Sequence, residues 1–310
     1  MDSAVVLDRF GDVSGLALEH RDLPPLRESE VRIRVSVAGL NPVDWQIVES
    51  PELAAVFGID VPSGFGNDFA GTVAEVGGAV RRWDVGDRVF GGARGRAVAT
   101  SITLDETHPS LHRLPAGVSD LQAGVLDIAG RTASAVADAL SAQPGETVLV
   151  GAAGGGVGSI LTQLLVRDGV QVIGTGSAAS ADHIRSLGAE PVAYGDDLAA
   201  RLAHHLAAGG MALAAAADLH GIDTAKTALE LGIPPQRVVT IEADDPPSGV
   251  LQVNGSDARP DALARLLALI AGGELRIPVA AVYGLDRFRD AVAHQRSRHV
   301  HGKIAIAPTR

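Results

Sequence analysis

Hydrophobic positions along the chain fall into two regimes. In roughly the first third, apolar residues form short β-branched stretches at 4–7 and 31–37, the second alternating with period two, which predicts strands. Leu23-Pro24-Pro25 marks a turn between them, and glycine-bounded strands are predicted at 71–77 and 86–90. Short strands broken by glycine predict a small, mostly β, barrel-like domain. The pattern then changes: 121–140 is alanine-rich, free of proline, and predicts mostly helix. After the turn at Pro144-Gly145, strands at 147–150, 170–174, 191–193, 211–217 and 237–241 alternate with helices at 158–167, 181–187, 198–207 and 224–231. This βαβα rhythm predicts a doubly wound parallel sheet. After a polar connection at 244–247, residues 250–253 offer a sixth strand; a helix at 261–271, a strand at 279–283, a helix at 286–294 and a strand at 303–307 close the chain.

Composition supports two domains. A chain of 310 residues is long for one core, and 46% apolar against 20% charged residues suffices to bury a sizeable one. Aromatics are only 3%, which suits close-packed helices on a parallel sheet. The formal charge of −11 disfavours nucleic acid and anionic membranes as partners. The densest basic stretches, Arg81-Arg82 and 296–301, are short and read as solvated surface. Without cysteine there is no disulfide, thiolate nucleophile or thiolate metal ligand. No apolar run reaches the roughly 18 residues that span a bilayer. Met1-Asp2-Ser3 runs into a strand without a basic leader region, so the cytoplasm is the expected location.

The candidate chemistry starts at residues 148–158, where a buried strand passes through Gly151, Ala152, Ala153, Gly154, Gly155, Gly156 and Val157 into a helix. Ala153, Gly155 and Gly158 have the spacing of a dinucleotide fingerprint with alanine first. Small residues let the chain turn tightly, let backbone approach a pyrophosphate, and let helix pack on strand. The helix N-terminus then offers free N–H groups to the phosphates.

The end of the next strand selects the cofactor. An NAD site usually places a carboxylate roughly 20 residues beyond the glycines, on the ribose 2′-hydroxyl. Here Thr175, Gly176 and Ser177 lead to Ser180, and no acid precedes Asp182. That favours NADP(H), with Ser177 as a hydrogen-bond donor to the 2′-phosphate and Tyr194, at the next strand's end, as a second hydroxyl. No Lys or Arg adjoins Ser177 in sequence.

Several ordered motifs resemble one family. They are Gly39-Leu40-Asn41-Pro42-Val43-Asp44-Trp45, Gly66-Asn67-Asp68-Phe69-Ala70-Gly71, Gly86-Asp87-Arg88-Val89, Gly130-Arg131-Thr132-Ala133, Leu187-Gly188-Ala189 and Gly302-Lys303-Ile304. The chain resembles the zinc-independent quinone oxidoreductase branch of the medium-chain dehydrogenase/reductases over nearly its whole length. The resemblance implies a GroES-like barrel of residues 1–120 with 262–310, a Rossmann domain of 121–261 inserted between them, and an active site in the cleft. It places Asn41 near the nicotinamide ribose, with Thr132, the turn from Ala153 to Val157, Ser177 and Tyr194 lining the cofactor. Asp218-Leu219 and Thr240-Ile241 would pass near the nicotinamide. Where zinc-dependent members carry a ligand histidine before an acid, this chain has Asn67-Asp68, and His294, His299 and His301 lie in a tail, so no metal is expected.

The implied activity is NADPH-dependent reduction of a quinone or α,β-unsaturated carbonyl. Asn41 is the candidate for orientation, with Asp44 and Trp45 as further site residues; Asp44 equally suits a cap on the helix after Pro42. Two alternatives stand: an enoyl or ketone reductase tailoring a polyketide-like intermediate, and a non-catalytic NADPH-binding sensor or interaction module. A homodimer is expected from the family, with the β-rich edge at 250–253 a ready pairing surface.

Overall fold

The computed structural model describes residues 2–308 except 243 and 244. Met1 of the N-terminal reading and Asp244 of the polar connection therefore lie outside the described residues. Two compact units form, one of residues 1–128 with 279–310 and the other of residues 129–278. Among the described residues no helix is long and apolar enough to cross a membrane.

In the first unit the central strand is Glu30–Leu40, whose Val31, Ile33 and Val35 are fully buried. Antiparallel to it run Asp68–Val76, Ser101–Asp105 and the terminal strand Lys303–Ala307, which in turn pairs in parallel with Val279–Gly284. Arg88–Gly92 and Leu111–Arg113 extend the sheet beyond Asp68–Val76. A second, three-stranded sheet orders Leu16–Arg21, Asp2–Leu7 and Ser63–Gly64. The buried side chains of both sheets, including Leu7, Leu16, Ile33, Phe69 and Ile306, merge in one core with Phe288 from the helix Phe288–Arg296. The mostly β, barrel-like expectation holds.

In the second unit six parallel strands lie in the order Glu190–Ala193, Gln171–Gly176, Thr147–Val150, Leu213–Asp218, Val238–Thr240, Leu251–Gln252. Numbered along the chain this is 3-2-1-4-5-6, the doubly wound order that leaves a crevice where strand direction in the winding reverses. Thr147–Val150 is buried throughout, as a central parallel strand must be. Leu149, Ile173, Leu202, Ala216, Ala225 and Val238 knit its sheet to the helices.

The units divide at 128/129 and 278/279, whereas the resemblance implied 120/121 and 261/262. The tail of the second unit is held by its own helix Gly156–Arg167: Arg167 pairs with Glu274 at 3.0 Å, and the Gln163 amide donates to the Arg276 carbonyl at 2.8 Å. The helix expected over 121–140 is two, Asp120–Ala123 and Asp127–Leu140. Gly124 sits against Val37 so closely that a Cβ would come within 2.8 Å of that side chain, and the chain turns there.

Candidate functional site

In the second unit, the strand Thr147–Val150 delivers the chain into a turn that only small residues allow. A Cβ on Gly158 would collide with the Ala152 carbonyl oxygen, and one on Gly174 would come within 2.7 Å of the Ala153 Cβ. Ala152 itself adopts φ +51, a left-handed conformation that side chains disfavour, and its N–H donates to the Thr175 hydroxyl at 3.3 Å. The Ala153 N–H donates to the Thr175 carbonyl at 3.1 Å, so Thr175 and the turn brace each other. At the end of the turn, Gly155 caps the helix Gly156–Arg167 with no side-chain bond to its first N–H groups. Those donors and the positive end of the helix dipole suit a diphosphate. The residues present fit a dinucleotide.

Register then brings the second-strand residues beside the third. Gly176 pairs with Ala193, and the Tyr194 N–H donates to the Gly176 carbonyl at 3.1 Å. Ser177 and Tyr194 are therefore neighbours at the carboxyl ends of their strands, Tyr194 being 57% exposed. Ser177 donates from its hydroxyl to that of Ser180 at 3.3 Å. The fold adds a cation that lies far along the chain. Arg201, on the helix Leu198–Gly209, donates from Nε to the Ala193 carbonyl at 3.1 Å and from Nη2 to the Gly195 carbonyl at 3.3 Å, straddling Tyr194. Scanning only the neighbours of Ser177 in sequence misses it. The available signal is an arginine one helical turn into the helix after the third strand.

On the other side of the crevice, Asp218 ends the fourth strand. Its carboxylate accepts from the His220 N–H at 3.1 Å and the Ala225 N–H at 2.8 Å, so it shapes the loop and caps the helix Asp223–Glu230. Burial raises its pKa, against those backbone bonds. Leu219 is buried, the Ile241 N–H donates to the Asp218 carbonyl at 3.2 Å, and the buried Thr240 hydroxyl lacks a partner. Thr132 is buried on the helix Asp127–Leu140.

In the first unit, strand register assembles a second constellation. Ile304 pairs with Leu40, and Gly39 with Asp68, so Asn41, Asp68 and Lys303 meet at one end of the sheet. A Cβ on Gly39 would come within 2.6 Å of the Gly124 carbonyl, so the approach requires glycine. Lys303 donates from Nζ to Asn41 Oδ1 and lies 3.7 Å from Asp68 Oδ2. Asp68 Oδ1 accepts from the Asn67 amide at 2.9 Å and from the Ile128 N–H at 3.2 Å, while Asn67 also reaches Asp127 at 3.3 Å. Asp44 Oδ2 accepts from the Asn41 N–H at 2.8 Å, capping the helix Pro42–Glu49. All six side chains are buried, three carboxylates facing one ammonium.

That arrangement sets their ionisation. Burial pushes the Asp44 carboxyl up to about 7, the Asp68 charge pushing the same way. Burial likewise raises Asp68, opposed by Lys303, and lowers Lys303, opposed by Asp68 and Asp44. Trp45 stands apart from this network: its Nε1 donates to Gln295 Oε1, and its ring lies under the guanidinium groups of Arg296 and Arg298 at 5.3 and 5.8 Å.

Residues 27–118 match the family model of the alcohol dehydrogenase GroES-like domain, and residues 184–306 that of zinc-binding dehydrogenases. The chain is 30% identical over 315 residues to the pikromycin polyketide synthase component PikAII of Streptomyces venezuelae, covering 96% of this chain but 8% of that protein. It is 31% identical over 320 residues to the quinone oxidoreductase of Pseudomonas aeruginosa, covering 94% of this chain and 95% of the relative. The chain belongs to the quinone oxidoreductase family of medium-chain dehydrogenase/reductases. Among solved structures, the Escherichia coli quinone oxidoreductase complexed with NADPH superposes on this family member with a TM-score of 0.82 and 25% identity, covering 99% of this chain and 100% of that one. The protein is thus an oxidoreductase with a GroES-like domain and a Rossmann-like parallel sheet.

One of the matching family models carries zinc in its description, but the residues here do not fit that metal. The chain has no cysteine, and among the described residues no group of three or more histidines and carboxylates is placed to hold an ion. His294 bonds Tyr283 at 2.9 Å and His299 bonds the Ser297 carbonyl at 2.6 Å, each engaged locally.

Proposed function

We propose that this protein carries out the NADPH-dependent, zinc-free reduction of a quinone or an α,β-unsaturated carbonyl compound. The observation that carries the cofactor half is the rim formed by Ser177, Tyr194 and Arg201 beside a glycine turn with uncapped N–H groups. The turn from Ala153 through Gly154, Gly155 and Gly156 to Val157 lines the diphosphate, which faces the N-terminus of the helix Gly156–Arg167. The two hydroxyls and the guanidinium receive the 2′-phosphate, an arginine being well suited to that charge. Thr132, Thr175, Gly176, Asp218, Leu219, Thr240 and Ile241 line the remainder of the cofactor.

When bound, the reduced nicotinamide supplies the hydride. The chain's own residues orient the reactants and manage charge. Asn41, gripped by Lys303, is the orienting residue, and Asp44 stands beside it; Trp45, fixed by Gln295, is outside this network and keeps only an outer role. A polarised C=C bond needs no Lewis acid, since hydrogen-bond donors held in place stabilise the oxyanion that forms. Positioning two flat reactants accounts for much of the remaining rate.

NADPH oxidation with a panel of quinones and enones tests this reading. Turnover with at least one class is expected, and cofactor binding without any turnover would favour a non-catalytic sensor. The match across 96% of the chain to a segment of a polyketide synthase component supports a second reading, an enoyl or ketone reductase acting on a biosynthetic intermediate. Preference for an enoyl thioester over every quinone would select it. We further propose a homodimer paired along the edge strand Leu251–Gln252, where Leu251 is 38% exposed. A monomeric mass by light scattering would overturn that pairing.

A further inference from the structure

Hydride addition to an enone leaves an enolate that must be protonated, and the roles assigned above supply no proton. The cluster of the first unit contains an acid that borders a small cleft. Asp44 has one oxygen, Oδ2, tied to the Asn41 N–H, while the carboxyl borders a small cleft whose other walls include Leu7, Ile47, Ile59, Ser63 and Phe65. The cleft's volume, 10 Å³, is that of about one water, and among the described residues Asp44 is its single titratable wall. Residues 59 and 63–66 of that wall belong to or adjoin the loop after the helix Pro51–Val56.

We infer that Asp44 is the proton donor of the reduction, delivering its carboxyl proton through a water in this cleft while Asp68 and Lys303 hold the charge balance behind it. The inference rests on the reductase reading above. In the step, the enolate's electron pair takes a proton from the cleft water as that water takes the proton of the Asp44 O–H, the Asp44 carboxylate remains, and solvent water later restores its proton. The groups facing Asp44 are Lys303 from the terminal strand and Asp68 from the strand Asp68–Val76, with Asp127 behind Asn67. Burial, helped by the Asp68 charge and opposed by Lys303 and the Asn41 N–H, keeps the proton on Asp44 up to about pH 7, within the range a general acid needs. The active form is protonated, so turnover falls as pH rises through that value. Quinone reduction ends in protonation of oxygen, which bulk water performs readily, so the dependence is strongest for enones.

The test compares wild type with Asp44→Asn, whose amide oxygen still accepts from the Asn41 N–H and preserves the helix cap. NADPH affinity and thermal melting verify the fold, and kcat is followed from pH 5 to 9 with 1,4-benzoquinone and with a simple enone. The expected result is a fall in enone turnover of about 100-fold, a smaller fall for the quinone, and loss of the alkaline limb near pH 7. The wild-type profile is an independent arm that requires no variant, and an enone kcat flat across this range overturns the role. Asp44→Asn turnover within about twofold of wild type, with an unchanged profile, overturns it as well and leaves the reductase reading intact. Wild type that binds NADPH but reduces neither probe overturns both.

Discussion

The glycine turn and the Asn41–Lys303 cluster solve opposite problems with opposite materials. The turn at 151–158 presents backbone N–H groups, and its side chains have been reduced to almost nothing so that backbone can approach a ligand. Around Asn41 the backbone is consumed by strand pairing, and chemistry is left to buried side chains whose charges restrain one another. The turn fails by steric intrusion and is indifferent to pH. The cluster, by contrast, carries buried carboxyls whose ionisation is shifted.

Three substitutions sharpen this contrast, in order of expected effect. Lys303→Met keeps the volume of the side chain but removes the cluster's one cation, leaving Asp68 and Asp44 to repel. A loss of about 3 kcal/mol in unfolding free energy is expected, with part of it restored by adding Asp68→Asn; a melt unchanged in the single variant would show the cluster to be energetically idle. Gly158→Val drives a side chain into the Ala152 carbonyl, so NADPH binding should weaken about 100-fold with far-UV circular dichroism unchanged. Gly155→Ala, where the nearest atom to the new Cβ is 3.3 Å away, is its mild control. Retained affinity in Gly158→Val would mean that the turn does not hold a diphosphate. The smallest effect is that of Arg201→Ala, for which fluorescence titration should show NADPH bound about tenfold more weakly and NADH unaltered. Equal losses for both cofactors would remove Arg201 from the 2′-phosphate rim.

The same contrast decides how much of each site is legible in the sequence. The turn is contiguous, so spacing and residue size exposed it, and the parallel register made Ser177 and Tyr194 neighbours once their strands were recognised. Arg201 does not adjoin Ser177 in sequence, and its place beside Tyr194 depends on how the helix Leu198–Gly209 folds back over the third strand. Lys303 could be seen as part of a terminal motif, but its partner Asn41 lies 262 residues away, and only the pairing of the terminal strand with Glu30–Leu40 brings them together. The pKa of Asp44 was illegible for the same reason, since burial and Asp68 create it. Its capping role was the legible half, because an acid three residues after Asn41 suits a helix start. The break at Gly124 was missed because an alanine-rich stretch carries no local sign that Val37 will press against it.

Titration of the purified protein with NADPH and then NADH, followed by nicotinamide fluorescence, tests the account most directly. Tight NADPH binding with NADH at least about tenfold weaker is the predicted result, arising from Ser177, Tyr194 and Arg201 at the strand ends. Preference for NADH would contradict the assignment of that rim, and binding of neither would reduce the glycine turn to a structural element and remove the basis of the reductase reading.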